Sequence, residues 1–417
     1  MQSCAATRAF TAASARATGP RRSRATQIVC AQQADRPAPL LEQVQGVLRN
    51  ALLGAAAAAV VAGGVGPEGS PALPAAWAGI GGGAVTNAKA LLRYALPIDC
   101  KPIRQVQRDL EGISDDLRVP GSKSLGPIGK RVRAANSVLE RDSAAIVAAF
   151  APDKKADGLA ALDDLKKSLS EFQAILDAQD KQAVPIKQNE CLDAVSRIEE
   201  AMVKGFPFEV PQEYANLPQL KGRATVEMDI KFGEAREDNA TGGKMVMVVD
   251  GYNAPVSAGD FVDLVRRGFY TGMEIQRADG FVVQTGKPDG DSQGFVEDGK
   301  VRTIPLEVMV KGDKVPVYEE TLEENGRFRE SPVLPFNAFG TMAIAREEFD
   351  SNSGSSQFFW LLKESELTPT GANVLDGRYA VFGYVTEGAN LLKEIQVGDK
   401  IVSAKVTAGE QNLVLPK

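Results

Sequence analysis

Two hydrophobic periods divide the chain. Ile103, Val106, Leu110, Ile113 and Leu117 recur every three or four residues, the spacing that lines one face of a helix. Ile128, Val132, Leu139, Ile146 and Phe150 make a looser stripe. Leu159, Leu162, Leu165, Leu169, Phe172 and Leu176 make the clearest one, and Ile186, Leu192, Val195, Ile198 and Met202 the last. Pro97, Pro102, Pro120, Pro127, Pro152 and Pro185 fall between or at the starts of these segments, where the missing N–H is tolerated. Each stripe is too short for a sustained heptad seam. The pattern therefore predicts an intramolecular up-and-down helical bundle over 79–204.

From Arg223 the period becomes two. Val226, Met228, Ile230 and Phe232 alternate with polar residues as in a half-buried strand, and Lys244 to Asp250 reads as a second strand. Ser257 is placed to cap a helix that turns Phe261, Leu264 and Val265 inward. Short strands, one early helix and many glycines predict a closed antiparallel β-barrel over 222–417. Between the two regions, 205–221 is spaced by Pro207, Pro211 and Pro218 and reads as a semi-rigid linker whose aromatic residues can pack against either side.

Charge changes the picture at the N-terminus. The net charge is −6, yet residues 1–78 hold seven Arg, no Lys and three acids, which leaves 41 basic against 51 acidic groups in the rest. Arg8, Arg16, Arg21, Arg22 and Arg24 lie among Ser and Thr with no acid before Asp35, the composition of an organelle transit peptide. Arg49, an apolar run from Ala51 to Val65 and Ala76-Trp77-Ala78 then read as a secretory-type signal with its cleavage site. The run falls short of a spanning helix. Two tandem signals predict import into an organelle and passage across an internal membrane by a Sec-type route, with maturation after Ala78. In a plant or alga that destination is the thylakoid lumen, with the mature chain peripheral to the membrane at most.

The acidic remainder argues against nucleic-acid partners. The chain has no histidine, which excludes His-based acid–base catalysis and most zinc sites. No phosphate-cradling glycine loop is present, and Gly354-Ser355-Ser356 is not a nucleophile elbow, so neither metal nor cofactor is expected. Glu319-Glu320 and Glu323-Glu324 lack calcium-loop spacing and read as a solvated face. Beyond the presequence, Cys100 and Cys191 sit in the first long helix and the last, either as buried thiols or as a staple across the bundle.

Three blocks carry a resemblance: GFYTGMEIQRADGFVVQTG at 268–286, SGSSQFFWLL at 353–362 and LDGRYAVFGYV at 375–385. In order and spacing they resemble the signature blocks of cyclophilins. With the tandem signals and the helical region, the chain resembles the forty-kilodalton thylakoid-lumen cyclophilins of plants and algae. In that family the helical part is similar to a PsbQ-type bundle and the protein assists assembly and maintenance of photosystem II. The resemblance implies a peptidyl-prolyl cis-trans isomerase site. Rotation about X-Pro faces roughly 18–20 kcal/mol because resonance stiffens the C–N bond. A fixed cation bonding the prolyl nitrogen withdraws the lone pair and weakens that resonance. By motif match Arg277 is this cation. Phe281, Val282, Phe359 and Leu375 line the proline pocket, Gln284 bonds the substrate backbone, and Ala345, Arg346, Gln357, Val374 and Tyr379 complete the binding set.

The departures from the family pattern are specific. Gln276 replaces a histidine, the loop Ala278-Asp279-Gly280 is one residue short and sets an acid beside Arg277, and Ala345-Arg346-Glu347 replaces Ala-Asn-Ala. Val374 replaces a tryptophan and Tyr379 a histidine, which removes contact surface and implies weak cyclosporin binding. Residues 300–335 exceed what a single-domain cyclophilin carries and cover or extend the groove. The expected function is a lumenal chaperone and assembly factor that binds proline-containing loops of photosystem II subunits, with isomerase activity weak or lost. The alternatives are a working isomerase and an extrinsic docking protein led by the bundle, with contact between bundle and barrel left open.

Overall fold

The computed structural model describes residues 85–118, 125–236, 239–363 and 373–416; the presequence read at 1–78 lies outside them. Among the described residues, seven helices come first: α1 Ala88–Ala95, α2 Lys101–Glu111, α3 Ile113–Arg118, α4 Gly126–Arg141, α5 Ser143–Ala149, α6 Lys155–Asp177 and α7 Ala183–Ala201. Pro102 and Pro127 stand at the first turns of α2 and α4, where the fixed φ suits helix entry. The predicted stripes converge on one core of Ile103, Val106, Leu110, Val132, Leu139, Leu165, Leu169, Phe172, Val195 and Ile198. Leu117, Leu159 and Ile186, counted in the stripes, stay exposed at their edges. Cys100 and Cys191 are free, buried thiols in this core, and burial pushes Cys191 up to about 12. Among the described residues no helix is long and apolar enough to cross a membrane.

Helix α1 departs from the bundle. Leu91, Leu92 and Ala95 join the core of the β-region instead, and Asn87 caps the helix by accepting from the Ala90 N–H at 2.9 Å. Bundle and sheet belong to one compact unit. Their seam is polar and buried. The Arg223 guanidinium donates to the Leu92 carbonyl, to Glu200 at 3.3 Å and to Asp250 at 2.7 and 3.0 Å. Asn253 donates to the Ala95 carbonyl at 3.0 Å. One turn deeper, Arg104 gathers the carbonyls of Arg93 and Leu96 with the carboxylate of Glu199 at 2.8–3.1 Å.

The β-region comprises β1 Gln219–Leu220, β2 Arg223–Lys231, β3 Gly242–Asp250, α8 Pro255–Arg266, β4 Arg277–Ala278, β5 Val282–Thr285, β6 Val296–Glu297, β7 Lys300–Val301, β8 Glu307–Val308, β9 Val317–Tyr318, β10 Thr341–Ile344, β11 Phe358–Leu361, β12 Val381–Glu387, β13 Lys400–Ala408 and β14 Leu413–Val414. Eight strands form one antiparallel sheet in the order β13-β2-β3-β12-β10-β11-β5-β4. Ala224, Val226, Met228 and Ile230 are buried in alternation along β2, as the period of two predicts. The sheet curls but does not close, which corrects the closed barrel expected from the sequence. Its end strands β13 and β4 are not ladder partners; β4 has only two residues. Backbone bonds from Gly272 N–H to the Ile401 carbonyl and from Ile275 N–H to the Asp399 carbonyl, both 2.7 Å, cover the seam instead. Helix α8 plugs the half-barrel with Phe261 against Tyr270, Phe358 and Phe382 at 5.1–5.3 Å.

Ser257 is not the cap of α8. Ala254 precedes the helix, and the Ser257 N–H donates 2.6 Å to the buried carboxylate of Glu307, fifty residues away. A carboxyl oxygen reaching the first turn from elsewhere in the chain satisfies that donor in place of a local hydroxyl. Burial pushes Glu307, Glu199 and Asp260 up to about 7 and Asp376 up to about 6. The unfolded chain ionises these groups near 4, so the folded chain holds their protons to higher pH. Their stabilisation is complete below about pH 4 and is lost as pH rises through about 6 to 7. The urea midpoint is therefore expected to be higher near about pH 5.5 than near about pH 8. A midpoint that falls on acidification across that window contradicts this assignment.

Candidate functional site

The site grows from the hairpin that joins β4 to β5. Gly280 takes φ +78, a left-handed value that lets the loop turn within three residues. Asp279 closes the turn by accepting from the N–H groups of Phe281 and Val282, each at 3.0 Å. Its other oxygen faces Arg277, accepting from Nε at 2.7 Å and also from Nη2. Burial opposes ionisation of Asp279, but the Val282 and Phe281 N–H donors and the guanidinium outweigh it and hold the carboxyl below its ordinary value. The short loop thus carries an acid onto the cation, as the sequence predicts. Arg277 Nη1 is buried and has no hydrogen-bond partner among the described residues.

Strand register aligns the set. Arg277 pairs with Gln284, Gln284 with Phe359, and Phe359 with Ala343, and directly opposed residues share a sheet face. That face is the outer one, because the alternate residues Phe358 and Trp360 turn into the half-barrel and meet edge to face at 4.8 Å. Trp360 therefore does not stand in for the family's missing tryptophan. Of the residues expected to line the proline pocket, Val282, Phe359 and Leu375 keep no more than 1% exposure, while Phe281 and Val374 are half-buried. Tyr379 meets Phe359 edge-on at 5.6 Å.

Phe336, which none of the three blocks contains, lies parallel to Phe359 at 6.0 Å. Its main chain is gripped at both ends: Asp376 accepts from its N–H at 2.8 Å, and Asn373 donates to its carbonyl at 3.1 Å. The ring directly follows the extra segment 300–335, which thus sets an aromatic against Phe359. Neither local period nor motif spacing marks it, because its partners lie 23 and 40 residues further along the chain.

The polar residues expected to bind substrate bond within the chain. Gln284 donates to Gln357 at 3.0 Å, and Gln357 donates to the Gln293 carbonyl at 2.6 Å. The Ala345 N–H bonds the Gln357 carbonyl at 2.9 Å. Arg346 sits 5.0 Å over the Tyr379 ring and donates to the carbonyls of Arg378, Glu347 and Glu348 at 2.7–3.1 Å. Burial lowers its pKa, and these carbonyls pin it as a strut rather than a free hand for substrate. The serines of the second block are structural: Ser355 donates to the Arg302 carbonyl and Ser356 to the Gly286 carbonyl, at 2.6 and 2.7 Å. Gly286, at φ +98, has no room for a Cβ, which would stand 2.2 Å from the Ser356 carbonyl oxygen.

A half-barrel plugged by one helix, with an arginine, a glutamine and a phenylalanine in line on its outer face, defines a cyclophilin. Residues 236–410 match the family model of cyclophilin type peptidyl-prolyl cis-trans isomerases, and residues 87–203 match that of the PsbQ-like domain of CYP38-like peptidyl-prolyl cis-trans isomerases. The chloroplastic peptidyl-prolyl cis-trans isomerase CYP38 of Arabidopsis thaliana is 52% identical over 83% of this chain and 79% of its own length. A putative thylakoid lumen peptidyl-prolyl cis-trans isomerase of Synechocystis sp. is 45% identical over 80% of this chain and 85% of its own. A solved cyclophilin of Cryptosporidium parvum aligns at 17% identity with a TM-score of 0.32, covering 45% of this chain and 98% of that one. The chain belongs to the CYP38-like family of thylakoid-lumen cyclophilins, in which a PsbQ-like helical domain precedes the isomerase fold.

Proposed function

We propose that this protein binds proline-containing segments of photosystem II subunits in the lumen and acts as a chaperone in their assembly and maintenance, with weak isomerase activity. The single observation that carries this reading is the state of Arg277. Two of its donors are spent on Asp279, and one buried donor, Nη1, remains for an acceptor. A cation already neutralised by a carboxylate still donates a hydrogen bond. It draws less on the prolyl lone pair, and the loss falls on the transition state more than on the bound peptide. Lumenal relatives and the PsbQ-like domain support photosystem partners, and that domain also favours a reading in which the bundle leads docking.

Titration of the isotope-labelled protein with a proline-containing lumenal loop peptide, and with its Pro→Ala counterpart, tests the binding claim. Shifts at Arg277, Phe281 and Gln284 that depend on the proline support it. Equal shifts with both peptides, or none at these residues, overturn it.

A further inference from the structure

The bundle, the connecting segment and the extra loop meet around a cavity of about 500 Å³, walled by Tyr94, Pro97, Pro207, Phe208, Val315 and Val333. That size suits a few side chains rather than a folded surface, since ligand clefts run roughly 300–1,000 Å³. The walls are preformed. The Phe206 and Phe208 rings meet at a tilt of 53° with centroids 4.7 Å apart, the Val333 N–H bonds the Met309 carbonyl at 2.8 Å, and Gly312 at φ +96 turns the loop back so that Asp313 N–H meets the Val310 carbonyl at 3.1 Å. Val315 keeps 47% exposure on one wall.

The charge here runs against that of the chain. Lys311 and Lys314 line the cavity, while the one carboxylate in the loop, Asp313, is tied to Arg327 at 2.6 and 3.0 Å. The chain after residue 78 is acidic, with 41 basic against 51 acidic groups. Aromatic and proline walls with a cationic rim complement an extended chain that sets a carboxylate next to an apolar side chain.

We propose that this groove docks an acidic, apolar peptide segment of a partner protein, separately from the Arg277 face. The groove is built largely from α1, the connecting segment and the 309–315 stretch, so a cyclophilin with none of these has no counterpart. It gives the chain a way to hold a client that does not depend on the Arg277 face.

The test uses the purified protein and a fluorescein-labelled heptapeptide with Phe-Pro at its centre flanked by two Asp, compared with the same peptide carrying Asn for Asp. Fluorescence anisotropy is expected to show the Asp peptide binding at least about tenfold more tightly, with the difference shrinking as salt is raised. The variant Lys311→Glu/Lys314→Glu is expected to lose that preference. Val315→Asn is expected to weaken both peptides by a similar factor. Lys314 and Val315 are exposed, so Lys314→Glu alone keeps the test valid should the double variant unfold. Arg277→Ala separates the two sites: affinity lost there and retained in the lysine variants assigns the peptide to the proline face and overturns the proposal. Equal binding of the Asn peptide overturns it too. So does a charge-reversal effect seen only in sedimentation as changed self-association, which makes a second copy the occupant.

Discussion

Replacing Arg223 with leucine is expected to lower the unfolding free energy by about 3–5 kcal/mol and to split one unfolding transition into two. Arg223 bonds to both the helical side and the sheet at their seam. It reaches the Leu92 carbonyl and Glu200 on the helical side and grips Asp250, itself fully buried, at the end of β3. Leucine leaves the Asp250 charge without its counter-ion in a dry seam, where an unpaired carboxylate costs several kcal/mol (of that order). It also strands the Leu92 carbonyl at the end of α1, whose apolar face packs in the core of the half-barrel. Urea unfolding followed by circular dichroism, together with trypsin cutting at Lys204 and Lys221 in the connecting segment, reads the effect. The double variant Arg223→Leu/Asp250→Leu is expected to recover much of the loss, because the orphaned charge is gone. One transition at the wild-type midpoint in Arg223→Leu contradicts the role assigned to the seam.

Freeing Arg277 is the second large effect. Asp279→Asn keeps an oxygen for the Phe281 and Val282 N–H groups, so the turn at Gly280 survives, and it removes the charge that neutralises the guanidinium. Isomerisation of a proline peptide is expected to gain about tenfold in kcat/KM, equivalent to about 1.4 kcal/mol of transition-state stabilisation. Arg277→Ala in the Asp279→Asn background is expected to cancel the gain, which ties it to the guanidinium rather than to a looser loop. Acid does not substitute for the mutation. The Asp279 carboxyl is held below its ordinary value of 3.8, and its pairing is lost only as pH falls through that lower value, so mild acidification leaves the pair closed. An Asp279→Asn protein no faster than wild type contradicts the claim that this carboxylate blunts the site.

What was legible in the sequence followed distance along the chain. The stripe from Leu162 to Leu176 and the alternation from Ala224 to Ile230 became the cores they implied, because helix and strand periods are local. The Arg277–Asp279 pair was legible for the same reason, being two residues apart. Long-range partners were not. Nothing near Ser257 announces Glu307, which takes the place expected of a local hydroxyl cap. Nothing near Phe359 announces Phe336. Helix α1 has the same period as its neighbours, yet its apolar side faces the half-barrel. The open seam turned on backbone bonds between 272–275 and 398–401, which carry no side-chain signature at all.

The measurement closest to the central claim is exchange spectroscopy on a proline-containing peptide bound to the wild-type protein. The account predicts proline-dependent shifts at Arg277 and Gln284 while cis–trans exchange of the peptide stays close to its unassisted pace of about tens to hundreds of seconds. A strong acceleration that disappears in Arg277→Ala would mean that the guanidinium is catalytically free despite its carboxylate, and the binding-led account would fail.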